Sequence, residues 1–328
     1  MGGYGAHRSA QDSASRAGRL RARVDRFLSL TRIEIGPRID PAGVRGYPID
    51  FRSERDDPAV LRRFVERPGH YLWGLNAERG LACYERWLEG DGEQWLDGAR
   101  AAADVLVQHQ TPSGAWLQVE PFWHTFVLEP PWASALAQGQ AASLLVRVFL
   151  ETREDRYAEA ALRALDPFAV PTSEGGVSAL LGGHPFPEEY PTQPPSFVLN
   201  GAILGLWGQR DVAVGLADSR VARAFEEGVD TLAANIHRWD TGSWSLYDLF
   251  PHRIANVASP GYHAFHVTQL EATHLLAPRP EIQAAAERFA RYAESDVLCA
   301  RAFAQKAMFR IVEPRSQRVA SALPWVRP

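Results

Sequence analysis

Lysine is nearly absent from this chain. Lys306 is the only one, and every other Lys-or-Arg position is arginine. That imbalance reads as base composition and carries no function of its own. Cysteine is scarce too: Cys83 and Cys299 stand far apart in helical patterns, which excludes a disulfide framework. No window approaches the roughly 18 apolar residues of a membrane span, and the N-terminus lacks the apolar core of a secretion signal. Net charge is −4 with both signs mixed, so there is no basic footprint for nucleic acid. Beyond His263 and His266, no Cys, His or carboxylate falls at ligand spacing, so no metal and no cofactor are expected. These absences lead to the expectation of a cytoplasmic protein without a membrane span, for which a homodimer is allowed.

What is present is a chain of 328 residues, 46% of them apolar, enough for a large core. The opening MGGYGAHRSAQDSASRAG is small and polar, and is expected to fray. Helical spacing runs from Arg19 to Leu30. Pro37, Pro41 and Pro48 then break it, and Tyr47 to Arg52 alternates like an extended arm. Residues 1–57 are therefore expected to form an N-terminal arm and 58–328 one helical domain.

That domain repeats. An amide recurs near the start of successive apolar helices, Asn76, Gln138, Asn200 and Gln269, at steps of 62, 62 and 69 residues. A more charged helix follows each, and three units then turn on glycine: TPSGAW (111–116), TSEGGV (172–177) and DTGSW (240–244). With apolar helices inside and charged ones outside, the pattern predicts a mainly α, (α/α) barrel or toroid of about four helix pairs. Cys299 to Glu313 is expected to add a final helix across the ring.

Chemistry-bearing residues gather at matching ends of the units. Glu188, Glu189 and Tyr190 precede a proline-ruled turn, in which Ser196 is a candidate cap for a helix beginning at Phe197. A satisfied structural turn is the competing reading. Tyr247 and Asp248 follow a glycine turn, and Asp248 could equally cap the next one. Tyr262, His266 and Gln269 share a helix face. The two histidines suit a hydrogen-bonded structural pair better than a metal site. Trp132 is either core or a sugar platform. Of Gln138 and Gln140, two apart on a helix, only one can look into a central cavity.

Four ordered segments resemble one family. WASALAQGQ (132–140), EEYPTQPPSFVLNG (188–201), DTGSWSLYDL (240–249) and YHAFHVTQL (262–270) are similar to motifs of the C-terminal domain of D-glucuronyl C5-epimerases. Those enzymes invert C5 of glucuronate within heparosan-type polymers. The resemblance places the family's catalytic positions on Glu189, Tyr190, Tyr247 and Tyr262, and implies an acidic, glucuronate-containing polysaccharide or oligosaccharide as partner. Two departures stand out. Phe250 occupies the place of an arginine implied to neutralise the substrate carboxylate, and Ser-Pro-Gly precedes Tyr262 where Arg-Trp-Asp is usual.

Inversion at C5 requires one group to take a proton from one face and another to return it from the opposite face. Tyr190 is expected on one face, Tyr262 or Tyr247 on the other, with Glu189 accepting a hydrogen bond or proton. Arg253 and His266 are expected to bind the carboxylate, Asn200 and Gln138 to orient hydroxyls, and Glu188, His263 and Trp132 to line the site. The alternatives are a uronate lyase on the same fold, a glycoside hydrolase using Glu188 or Glu189 with Asp248, and a non-catalytic glycan-binding toroid.

Overall fold

The computed structural model describes residues 33–52, 73–120 and 124–314. The helix expected at 19–30 and the arm boundary at 57/58 lie outside them. Four helix pairs follow in chain order. They are α1 (Trp73–Glu89) with α2 (Glu93–His109), α3 (Ala135–Thr152) with α4 (Asp155–Arg163), α5 (Leu199–Gly215) with α6 (Ser219–Asn235), and α7 (Pro260–Leu276) with α8 (Pro280–Ala293). A further helix, α9 (Asp296–Val312), packs on α8 and α7.

The apolar helices are the inner ones. α3 packs on both α1 and α5, and α5 on α7. Leu144, Leu145, Val146, Leu204, Leu206 and Trp207 are all buried there, each side chain contributing about 1.5–3 kcal/mol of transfer free energy. Gly139 and Gly208 let α3 and α5 cross closely, since a Cβ on either would meet the backbone of the other helix. The outer helices are amphipathic, with α6 burying Phe225, Val229 and Leu232 and facing solvent with its charges. The toroid read from the sequence is the observed architecture.

The arm closes the ring. Thr268 Oγ1 on α7 donates to the Ile33 carbonyl (2.9 Å), and Tyr47 N donates to Glu85 Oε1 on α1 (2.6 Å). The buried guanidinium of Arg147 reaches Asp211 at 2.6 Å and the Gly46 carbonyl at 2.8 Å, while Arg210 binds the carbonyls of Asp40, Pro41 and Gly43. A buried ion pair needs such extra partners to offset its desolvation.

Three of the repeated amides turn out to be structural ties, within a unit or to its neighbour. Asn76 donates to the Ala102 carbonyl, and Gln269 to that of Asn200. Gln269 sits mid-way along α7 and not near its start, because α7 begins at Pro260. All three repeat turns carry a left-handed glycine, Gly114, Gly175 and Gly242, a conformation that side chains disfavour. Two hairpin-like pairs lie at one end of the ring: β1 (Leu117–Gln118) against β2 (Trp132–Ala133), and β3 (Ser178–Leu181) against β4 (His184–Pro187).

Candidate active site

Strand β4 runs straight into the two glutamates, and they face different ways. Glu188 is fixed by its backbone, its N–H donating to the Val177 carbonyl (2.8 Å) while its carbonyl accepts from Ala135 N (3.1 Å). Its carboxylate accepts from the Ser196 hydroxyl and from Phe197 N at 2.9 and 3.1 Å. Burial holds its pKa up at about 7. Glu188 is therefore a clasp on the turn before α5, and the expectation that it lines the site is corrected. Ser196 is no helix cap either, since its hydroxyl goes to Glu188 and α5 begins at Leu199. Phe197 takes a left-handed φ of 45° inside this clasp.

Glu189 turns inward, over Gly201, where a side chain on that residue would collide with it. Its Oε2 is buried without a hydrogen-bond partner. Burial raises its pKa to about 8, with the charges of Glu188 and Asp248 adding to the rise and a hydrogen bond from Tyr190 opposing it. Burial, then Glu189, drive the Tyr190 phenol well above its ordinary value of 10, and a hydrogen bond from Tyr247 works against that. Tyr247 is itself pushed up by burial and by its neighbours Tyr190 and Glu189. The ring of Tyr262 meets Tyr247 edge-on, 5.0 Å between centroids. Glu189, Tyr190, Tyr247 and Tyr262 thus form one continuous cluster. His124 stacks on Tyr190 at 4.5 Å, and Trp132 tilts against it at 5.8 Å.

The loop 244–258 carries Tyr247 into place. Tyr247 N donates to the Asn256 carbonyl (2.8 Å), Leu199 N to the Tyr247 carbonyl (3.2 Å), and Leu249 N to that of Ser196 (2.7 Å). Asp248 caps nothing. Its carboxylate accepts from Asn256 Nδ2 at 2.6 Å, and His252 Nε2 lies 3.1 Å from its other oxygen.

The central hollow is bordered by all four inner helices. A cavity of about 300 Å³ is lined by Glu78, Gln140, Asn200, Leu204, Tyr262 and Phe265 among others. A neighbouring hollow of about 200 Å³ reaches Glu189, Tyr190, Trp132 and Trp116 and shares the walls Gly74, Leu75 and Leu136 with the first. Gln140 Oε1 and Asn200 Oδ1 are buried without partners in this region, so each is an acceptor awaiting a donor. A further concavity of about 660 Å³, between β4 and α6, contains none of these residues.

Several expected ligands go elsewhere. Gln138 is saturated, accepting from Trp116 N and donating to the carbonyls of Gly114 and Ala164, so it ties units together while Gln140 faces the cavity. His263 stacks on Trp244 at 3.8 Å, bonds Ser245 and the Phe289 carbonyl, and is held near a pKa of about 4 by burial. His266 bonds Ser245 Oγ at 2.9 Å, and burial keeps it neutral, so it brings no positive charge to a carboxylate. The side chain of Arg253 is 81% exposed and faces Glu313 at 3.9 Å, so the loop does not carry it to the tyrosines. Phe250 packs on Phe126 and His252 at 5.3 and 4.8 Å. His124 and Asn256 are neighbours of the site that sequence reasoning did not name, and of the two glutamines it weighed, Gln140 is the one that faces the cavity. Among the described residues, no group of three or more His, Cys, Asp or Glu could hold a metal ion, and no helix is long and apolar enough to cross a membrane.

Residues 110–291 match the family model described as D-glucuronyl C5-epimerase C-terminus. The D-glucuronyl C5-epimerase of Caenorhabditis elegans is 34% identical over 211 residues, 59% of this chain and 34% of that protein. A Methanocaldococcus jannaschii protein is 32% identical over 133 residues, 38% of this chain and 42% of that one. The chain therefore aligns with less than half the length of either relative. In fold it is similar to the crystal structure of an unsaturated glucuronyl hydrolase from Bacillus sp. GL1, with a TM-score of 0.51 at 15% identity over 77% of this chain and 78% of that one. With a match spanning more than half of its residues and the motifs gathered at one end of the ring, the chain belongs to the D-glucuronyl C5-epimerase C-terminal family.

Proposed function

We propose that the protein inverts C5 of D-glucuronate to L-iduronate within a polysaccharide or oligosaccharide. One observation carries this reading: three phenols from distant segments meet beside a buried carboxyl, at the edge of a hollow with unsatisfied amide acceptors. C5 lies α to a carboxylate, so its hydrogen leaves only if the developing enediolate is stabilised. Each preorganised donor at such an oxyanion contributes about 2.7–4 kcal/mol.

Tyr190 and Tyr262 border the two joined hollows, with Tyr247 between them. In the proposed cycle the Tyr190 proton passes to Glu189 in its ionised form, the form that becomes available as pH rises toward about 8. The Tyr190 phenolate, held by the Tyr247 hydroxyl, takes the C5 proton from one face. Tyr262 delivers its own phenolic proton to the other face. Tyr190 now holds the former C5 proton, and Glu189 gives up its proton through solvent to the Tyr262 phenolate, which resets all three groups. Gln140 and Asn200 accept from sugar hydroxyls, and Trp132 offers an apolar wall.

The test is incubation with glucuronate polymers in D₂O, followed by NMR at C5. Deuterium with inversion is expected. A new double bond in place of exchange identifies a lyase, and no exchange on any uronan leaves a glycan-binding toroid.

A further inference from the structure

Two glutamates, an aspartate and three phenols crowd one buried region, and the two arginine positions that could neutralise it do not. Position 250 is phenylalanine packed among rings, and Arg253 is turned out to Glu313. The positive charge comes from another direction. Lys306, the single lysine of the chain, is half-buried on α9. Its Nζ lies 5.1 Å from the centroid of the Tyr247 ring and donates to Asn256 Oδ1 at 2.6 Å. Asn256 in turn accepts from the Tyr247 backbone N–H through its carbonyl and donates to Asp248 through its amide, so the ammonium addresses Tyr247 through its ring and through its backbone.

An ammonium over an aromatic face is attracted to the ring's electrons, and more so when the ring carries phenolate charge. In a dry surrounding that preference is amplified. We propose that Lys306 is a positioning residue that acts through Tyr247, polarising its hydroxyl so that it donates more strongly to Tyr190 and makes the Tyr190 phenolate accessible. Lys306 stays protonated throughout and exchanges no proton with substrate. The groups facing it or the relay are Asp248 and His252 on the loop, His266 and Tyr262 on α7, Glu189 and Tyr190 beyond β4, and Arg310 on its own helix, where Arg310 donates to Thr125. The pKa of His266 is lowered by burial first, then by His263 and Lys306, which places the ammonium close enough to be felt there.

The inference rests on the epimerase reading for its kinetics, and a second measurement separates the two. In the exchange assay, Lys306→Met is expected to lower kcat about 10- to 100-fold with KM little changed, and to move the alkaline-going limb of the pH profile up by about one unit, a tenfold change in the ionisation constant. Lys306→Arg is expected to restore most of the rate. An unmoved limb with wild-type kcat in Lys306→Met overturns the proposal, as does an Arg variant as slow as the Met variant. If the wild type exchanges no C5 proton at all, the epimerase reading fails, and Lys306 is judged by ¹⁹F NMR titration of protein carrying difluorotyrosine, whose phenols ionise at lower pH. There the Tyr247 resonance, assigned with Tyr247→Phe, should titrate at higher pH in Lys306→Met than in the wild type. Equal midpoints refute the role of Lys306 whatever the enzyme does.

Discussion

Gly201 makes room for Glu189. The first turn of α5 passes directly beneath the glutamate, and a methyl group on residue 201 would occupy the space of the carboxyl itself. Gly201→Ala is therefore expected to displace Glu189 and slow C5 exchange at least about 100-fold. Because helical alanine is intrinsically better than glycine by roughly 1 kcal/mol, melting should shift by only a few degrees. Circular-dichroism melts beside the D₂O assay check this, and a variant with normal exchange removes Glu189 from the relay.

Tyr190→Phe and Tyr262→Phe should separate in stability while agreeing in activity. Removing the Tyr190 hydroxyl orphans buried partners on Tyr247 and Glu189, a cost of about 1–3 kcal/mol. Tyr262 is 41% exposed, so its variant should unfold like the parent. Both should lose exchange by about 10³-fold if each serves one face. A variant retaining full exchange frees that residue from the chemistry.

Stability should fall as pH rises from about 6.5 to about 8. Glu188 and Glu189 hold protons to about 7 and about 8 against an ordinary 4.5. The folded chain therefore binds more protons than the unfolded one across that window, and these two groups lower stability as pH climbs through it. His263 works in the opposite sense. Held near 4 against 6.5, it leaves the unfolded chain more protonated between those values, so its contribution rises with pH there and ends by 6.5. Above about pH 6.5 the carboxyls act without that counterweight, Glu188 to about 7 and Glu189 to about 8, with a slope of up to about 1.4 kcal/mol per pH unit for each. Glu189→Gln should flatten the decline of Tm over this range, and an unchanged slope contradicts the burial assigned to Glu189.

Gln138 and Gln140 make a paired test of scaffold against site. Gln138→Leu leaves the Trp116 N–H and two carbonyls unpaired in the core and should cost about 3 kcal/mol or more. Gln140→Ala removes an acceptor from the cavity, so KM for a uronan should rise several-fold while the melt stays put. Reversed outcomes in chemical denaturation and kinetics would exchange the two roles.

The ring was legible because its signal is periodic. Asn76, Gln138 and Gln269 mark the units since each closes a tie to a backbone carbonyl, while Asn200 leaves its Oδ1 to the cavity, and the glycine turns recur because each needs a left-handed residue. Glu189 and the tyrosines were legible from the motifs they sit in. The phase of a helix was not: which of Gln138 and Gln140 turns inward depends on how α3 is rotated against α1 and α5. Nor could sequence separate Glu188 from Glu189, because adjacent carboxylates part company only once Ser196 and Phe197 fold back on the first. Arg253 failed as a substitute cation because its loop directs it outward, and the importance of Lys306 lay hidden in a contact across 50 residues with Asn256.

The match to the family model ends at 291, five residues before α9 begins. Yet α9 leans back over the tyrosine loop through Lys306 and over the segment before Trp132 through Arg310. Two proteins alike through all four motifs can therefore differ in working pH or tolerated glycan. On the role proposed for Lys306, the tuning element lies beyond the residues that the family model matches.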